Sequence, residues 1–511
     1  MNGFLMTQNN KHMTRGSLLA NNALITLLSQ ALPLVVAVIC IPYLVSGMGI
    51  ERFGVLTLVW MVTGYYSLFD FGVGRALTKM VASKLGAGEE KDISALVWTA
   101  LFFVFLMGML GAFIVYMISP YLVKEVFQIT AELHNETLNV LYLLSLSLPV
   151  VICATSLRGI LEAYQRFPFI SIIRTPVGIM TFIGPLLVLN FSQSLTYIVL
   201  ALLFIRMVEC LAYLLFCFYI NPTLRKGVMP QIRYLKPLLA TGGWMTVSNI
   251  VGPTLLYLDR FLISTIISIS AVAFYTTPFE VLHRLMIIPG AIVGVLFPAF
   301  SHSFEHDLER ITVIFSRGVK YTFIAMFPLI LFITTFAYEG LNLWLGGEFA
   351  QNSSSVLQIL AVGSLIGSMT YMPYALIQAG GRSDFTAKLH FFEFPFYLII
   401  MWWLTKNYGI DGAAFALTLR FSTDAIILFF KAKKLLDINF FSRRLILYVT
   451  VVFMLLFVST IIPIDITIKS LFLLITIFAF ILISWFKILT LDERMVLRNY
   501  FNAKLVLIFK K

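Results

Sequence analysis

A chain of 511 residues in which 59% are hydrophobic and 12% charged, with a mean hydropathy of +0.92, cannot cover itself with the polar surface of a soluble domain. A formal net charge of +12 would suit a nucleic-acid partner, yet the basic residues fall loop by loop between apolar runs, with no basic stripe and no binding motif. Cys40, Cys153, Cys210 and Cys217 lie in hydrophobic segments without CxxC spacing, so neither a disulfide framework nor a thiolate metal site is indicated.

After a short N-terminal segment, 1–17, apolar stretches of about 18 or more residues recur to near the C-terminus. They cover roughly 18–45, 53–74, 93–118, 138–157, 169–190, 194–219, 238–267, 270–299, 321–338, 354–379, 389–405, 410–430, 445–463 and 467–486. Runs such as LITLLSQALPLVVAVICIPYLV are apolar at every phase, which a barrel strand of alternating polarity would not be, so the spans are expected to be helices. The first is too long for a signal-peptide core and is followed by no small-residue cleavage pattern, so it reads as a retained helix. If all fourteen span and the N-terminus is cytoplasmic, the outer face holds only Arg52, Lys124, Lys406 and Lys469 outside the membrane. This bias predicts that both termini are cytoplasmic.

A slide of 220 residues sets LLANNALITLLSQALP over LLATGGWMTVSNIVGP and pairs Leu18 with Leu238, Leu19 with Leu239, Ala20 with Ala240, Thr26 with Thr246 and Pro33 with Pro253. An offset of six helices makes the two repeats parallel. The expected organisation is therefore an N-lobe over 18–220, a basic cytoplasmic linker over 221–237 and a C-lobe over 238–435. A further helix pair follows over 436–486, then a basic cytoplasmic tail over 487–511. Pro33, Pro149, Pro176, Pro253, Pro289, Pro328 and Pro373 interrupt the spans, which fits either a rocking transporter or a static kinked bundle.

Five arginines, Arg174, Arg206, Arg260, Arg284 and Arg420, fall inside apolar spans, where each costs about 2.5–3.5 kcal/mol even on a lenient insertion scale. They point to an interior that attracts an anion. The alternative is that each is glued to a neighbouring acid. Three have an acid on the same helical face, Glu209 for Arg206, Glu280 for Arg284 and Asp424 for Arg420. Arg174 and Arg260 have none three or four residues away, which makes them the leading anion-contact candidates. Cation coupling needs an intramembrane carboxylate, and Asp70, Asp259, Glu280 and Glu393 are the candidates. The first span carries no charge. His283 beside Arg284 reads first as an interhelical hydrogen bonder rather than a proton relay. Tyr65, Tyr66, Tyr257, Tyr275, Tyr371 and Tyr374 could present rings to sugars, although interfacial anchoring is the ordinary use of membrane tyrosine. Gly72, Gly74, Gly86 and Gly88 are followed by no GKS or GKT, so no phosphate loop is read there.

The stretch RFGVLTLVWMVTGYYSLFDFGVGRALTKMVASKLGAGEEKDI from Arg52 resembles the second helix and following loop of Wzx-type polysaccharide-repeat-unit flippases. LRGILEAYQRFPFISIIRTPVGI from Leu157 and GGWMTVSNIVGPTLLYLDRFLISTIISISAVAFYTTPFEVLHRLMIIPGAIVGVLFPAFS from Gly242 are similar to the same family. The resemblance covers most of 15–435. It implies the MOP exporter superfamily, which also holds MATE antiporters and the lipid II flippase. The fold class expected is then an all-α polytopic membrane protein of about fourteen helices, with two six-helix MATE-like lobes and an appended C-terminal pair.

The resemblance implies export of an undecaprenyl-pyrophosphate-linked oligosaccharide from the inner to the outer leaflet of the cytoplasmic membrane by alternating access, for O-antigen or similar surface polysaccharide. It implies no catalytic residue, no metal and no cofactor. Coupling to a proton or sodium gradient stays open, and the implied partners are the lipid-linked glycan, the bilayer and other assembly proteins such as the polymerase. A MATE-like exporter or a lipid II-type flippase is the alternative. A membrane glycosyl polymerase would usually carry a large external loop, and the longest here, Ser119 to Thr137, has 19 residues.

Overall fold

The computed structural model describes residues 16–65, 73–89, 92–227, 229–231, 233–238, 258–303, 308–436, 443–461, 465–491 and 493–495. Among them there is no strand. The helices are α1 Gly16–Met48, α2 Ile50–Tyr65, α3 Val73–Ala87, α4 Ile93–Tyr121, α5 His134–Ala163, α6 Phe167–Leu189, α7 Leu195–Ile220, α8 Ile269–Leu285, α9 Ile287–Ser303, α10 Leu308–Thr335, α11 Ala337–Leu345, α12 Gly347–Ala379, α13 Ser383–Leu436, α14 Arg443–Ile461 and α15 Ile466–Ile483. Residues 233–238 and 258–266 are also helical. Eight helical stretches among the described residues are long and apolar enough to cross a membrane. The chain is a multi-pass, all-helical membrane protein.

Helix breaks have local causes. Gly49, at φ +82°, lets the chain turn from α1 into α2, a conformation that a Cβ would strain. Gly409, at φ 62° and ψ −144°, splits α13 into the two halves that the sequence sets at 389–405 and 410–430. Prolines within α1, α5, α6, α10 and α12 occupy the predicted positions Pro33, Pro149, Pro176, Pro328 and Pro373. Pro253 and the rest of the matched stretch LLATGGWMTVSNIVGP after Leu238 lie outside the described residues. Asp465 starts α15 as an N-cap, its carboxylate accepting the Thr467 backbone N–H at 2.8 Å.

Contacts divide the chain into two compact units, Met1–Ala273 and Phe274–Lys511. In the first, α5 packs on α4, α3 and α7, and α6 packs on α1 and α7. Close approach is set by small residues: a Cβ on Gly108 of α4 would come within 2.6 Å of the Pro149 Cα in α5. In the second, α12 packs on α13, α10, α11 and α9. Phe300, Ile311, Phe315, Met372, Leu376 and Leu436 close the core where α9, α10, α12 and α13 meet. The outer faces stay apolar, with Phe113, Phe204, Phe396 and Phe478 more than half exposed, as lipid contact requires.

The appended pair packs on α10. The Ser459 hydroxyl of α14 donates to Thr334 Oγ1 at 2.9 Å, and Lys469 of α15 donates to Glu339 Oε1 at 2.8 Å. Beyond α15, Glu493 accepts from Lys320 and from the Tyr321 hydroxyl. Contacts therefore tie the pair and the residue Glu493 after it to α10 between Lys320 and Thr334 and to α11 just beyond.

Candidate functional site

Arg174 sits seven residues into α6, about 10 Å along the axis from the Phe167 end. That end faces the turn carrying Arg166, one of the turns expected on the cytoplasmic side. The side chain is half-buried, and no described residue lies within ion-pair distance of it. Its electrostatic surroundings are Arg158 and Glu162 of α5 and Glu209 and Tyr213 of α7. Arg158 reaches Glu162 at 3.3 Å, and Arg206 reaches Glu209 at 2.8 Å. Three arginines thus face two glutamates across α5, α6 and α7, leaving a formal excess of one positive charge. Sequence spacing identifies the Arg206–Glu209 pair, whereas Arg158 and Glu162 join Arg174 only through the packing of three helices.

Arg284 meets its expected i−4 partner, Glu280, at 3.5 Å, with both side chains substantially exposed. Arg260 is 1% exposed and Asp259 is fully buried, and the Arg260 backbone N–H donates to Asp259 Oδ1 at 2.7 Å. Arg260 therefore faces no open hydrated space in this conformation. Asp70 lies outside the described residues, as do Tyr66, Tyr257 and the side chain of Tyr65. Tyr275 is buried and stacks on Phe279, while Tyr371 and Tyr374 are half-buried.

Arg420 and Glu393 come together. The Arg420 Nε donates to Glu393 Oε1 at 3.1 Å across the two halves of α13, with side chains 8% and 9% exposed. The arginine carbon lies 5.3 Å from the centroid of the Tyr397 ring. Glu393 and Arg420 are 27 residues apart, so the pairing is visible only once the chain folds back at Gly409. The i+4 carboxylate Asp424 joins the same group, and His390 Nδ1 lies 3.4 Å from Glu393 Oε2. One ligand atom from each of His390, Glu393 and Asp424 falls within 4.8 Å of the other two. The group sits about 15 Å along its helix from the Ser383 end.

A cavity of about 660 Å³ lies beside α6 and α7, bounded by Val188, Phe191, Tyr197, Leu200, Phe204 and Met207 among others. It offers no charged group and suits an acyl or prenyl chain better than an anion.

The fold is that of a multi-pass helical membrane protein, and it has solved counterparts. The lipid II flippase MurJ in an inward closed conformation matches with a TM-score of 0.69 at 14% identity, over 91% of this chain and 99% of that one. An inward-facing multidrug resistance MATE transporter also matches at 0.69, with 16% identity over 80% of this chain and 94% of that one. Residues 19–304 match the model of the family described as "Polysaccharide biosynthesis protein". A Shigella flexneri protein named "Putative O-antigen transporter" is 30% identical over 412 residues, covering 80% of this chain and 96% of the relative. The chain belongs to the polysaccharide biosynthesis protein family.

Proposed function

We propose that the protein is a flippase that carries an undecaprenyl-pyrophosphate-linked oligosaccharide, such as an O-antigen repeat unit, across the cytoplasmic membrane by alternating access. Family membership and the relative named as an O-antigen transporter support the class of cargo. The observation that carries the anion part is Arg174, half-buried in a spanning helix with no ion-pair partner among the described residues. A fixed guanidinium offers bidentate donors to a pyrophosphate and lowers the cost of its charge in a low-dielectric slab. The pyrophosphate enters from the cytoplasmic side beside Arg174, where Arg158 adds to the local positive field. Arg206, Arg284 and Arg420 each have an acidic partner in this state, and Arg260 is buried, so their part in the path would require those contacts to open. The six-helix lobes at 18–220 and 238–435, the inner-membrane location and the cytoplasmic termini belong to the same reading.

The test is translocation of a fluorescent polyprenyl-pyrophosphate oligosaccharide in proteoliposomes, with empty vesicles as control. The parent is expected to flip the lipid and Arg174→Glu to lose at least ~10-fold in rate, since reversal of a contact worth about 1.5–3 kcal/mol has that effect or more. Unchanged transport by Arg174→Glu would overturn the anion-contact role. No transport by the parent, with ion-dependent efflux of a cationic dye, would favour a MATE-like exporter.

A further inference from the structure

The group on α13 is out of charge balance. Glu393 and Asp424 each bring a carboxylate, and Asp424 is 6% exposed, with Oδ1 buried and without a hydrogen-bond partner. Against them stand the guanidinium of Arg420 and the imidazole of His390, which is neutral unless protonated. Of the neighbouring helices, α12 brings Tyr374 beside it, its ring 6.1 Å from that of His390, while Tyr397 of α13 lies under Arg420. Two carboxylates and one arginine leave one negative charge uncompensated at mid-helix, and a lone buried charge of that kind is neutralised rather than tolerated.

We infer that Glu393 and Asp424 form a proton-binding site that holds one shared proton while the remaining carboxylate charge is paired with Arg420. Three observations favour a proton over a metal ion. Both Glu393 oxygens already have partners, Oε1 with Arg420 and Oε2 with His390. Asp424 Oδ1 is the open acceptor, whereas sodium or calcium seeks several oxygens at once. A carboxylate oxygen of Asp424 moreover lies within 4.8 Å of one of Glu393, and one proton held between two such groups removes their repulsion. Removal of that proton leaves two carboxylates competing for one guanidinium, which gives Arg420 a second arrangement that depends on occupancy. The use of this site in driving transport rests on the flippase reading above; the proton site itself does not.

Infrared spectroscopy of the purified protein tests the site without any transport assay. The wild type at neutral pH should show the carbonyl stretch of a protonated carboxyl group. Asp424→Asn and Glu393→Gln, each leaving one carboxylate for Arg420, should lose that band, while Glu348→Gln, altering an exposed acid, should keep it. Absence of the band in the wild type overturns the inference whether or not any variant folds. So does a band that survives in folded Asp424→Asn and Glu393→Gln proteins. Retention of radioactive sodium by the wild type, abolished by Asp424→Asn, would replace the proton with a metal ion and equally overturn it.

Discussion

Glu493 shows how much a single buried acid beyond the last span can contribute. Its side chain is 7% exposed. It accepts from Lys320 at 2.5 and 2.8 Å, from the Tyr321 hydroxyl at 2.8 Å and from the Thr490 backbone N–H at 2.9 Å, with Arg317 at 3.4 Å. Burial works to raise its pKa, but the Lys320 contact, the Thr490 amide and the Tyr321 hydroxyl outweigh it and hold the carboxyl down at about 2, from an ordinary 4.5. A depressed folded-state value means that the stabilisation is complete above about pH 4.5 and fades as pH falls toward 2. Glu493→Gln should therefore lower thermal stability in detergent at pH 7 by on the order of 2 kcal/mol, with the gap to wild type closing below pH 4.5. Equal melting of the two proteins at pH 7 would show that the contact does not form. No sequence pattern announces this residue, because Lys320 is 173 positions away. The arginine pairs differ in the same way: Arg206–Glu209 and Arg284–Glu280 follow from helical spacing, while Arg420–Glu393 depends on the bend at Gly409.

At the scale of elements, helix existence is legible because runs of 20 or so apolar residues leave a backbone in lipid no alternative to bonding within itself. Which helices touch is less so, because lipid-facing and helix-facing positions are equally apolar. Gly108 marks one such contact, and Gly108→Ala should cost about 1–3 kcal/mol, since its methyl would meet Pro149 backbone rather than a side chain that can move. Unchanged melting of the variant would mean that α4 and α5 can separate freely. Lys469 is a second case. Charge counting assigns it to an external loop, whereas its side chain is 8% exposed and pairs with Glu339, which is itself 18% exposed. Breaking a buried pair from one side leaves the other charge stranded. Lys469→Met should therefore destabilise by about 3–5 kcal/mol, and Lys469→Met with Glu339→Gln by less. Additive losses in a double-mutant cycle would count against the pair as a unit. Together with Ser459–Thr334, this contact gives the appended helices a physical role: they brace α10.

For the whole molecule, the bracing contacts also bear on orientation. Lys469, at the start of α15, meets Glu339 just past the end of α10, while Glu493, past the end of α15, meets Lys320 nearer its beginning. α15 thus runs antiparallel to α10 over most of its length, and residues 493–495 lie at the Lys320 end, where the distribution of basic residues predicts the cytoplasm. Two exposed positions make this testable: Leu343 in α11 is 92% exposed, and Leu491 beyond α15 is 72% exposed. In a background with the four native cysteines replaced, Leu343→Cys should react with a membrane-impermeant maleimide in intact cells. Leu491→Cys should react only after permeabilisation. The reversed pattern would invert the topology and place Arg174 at the outer end of α6, where a cargo assembled in the cytoplasm could not meet it first. Labelling of both from one side would mean that the bundle from α10 to α15 does not span as built, and the alternating-access reading would lose its frame.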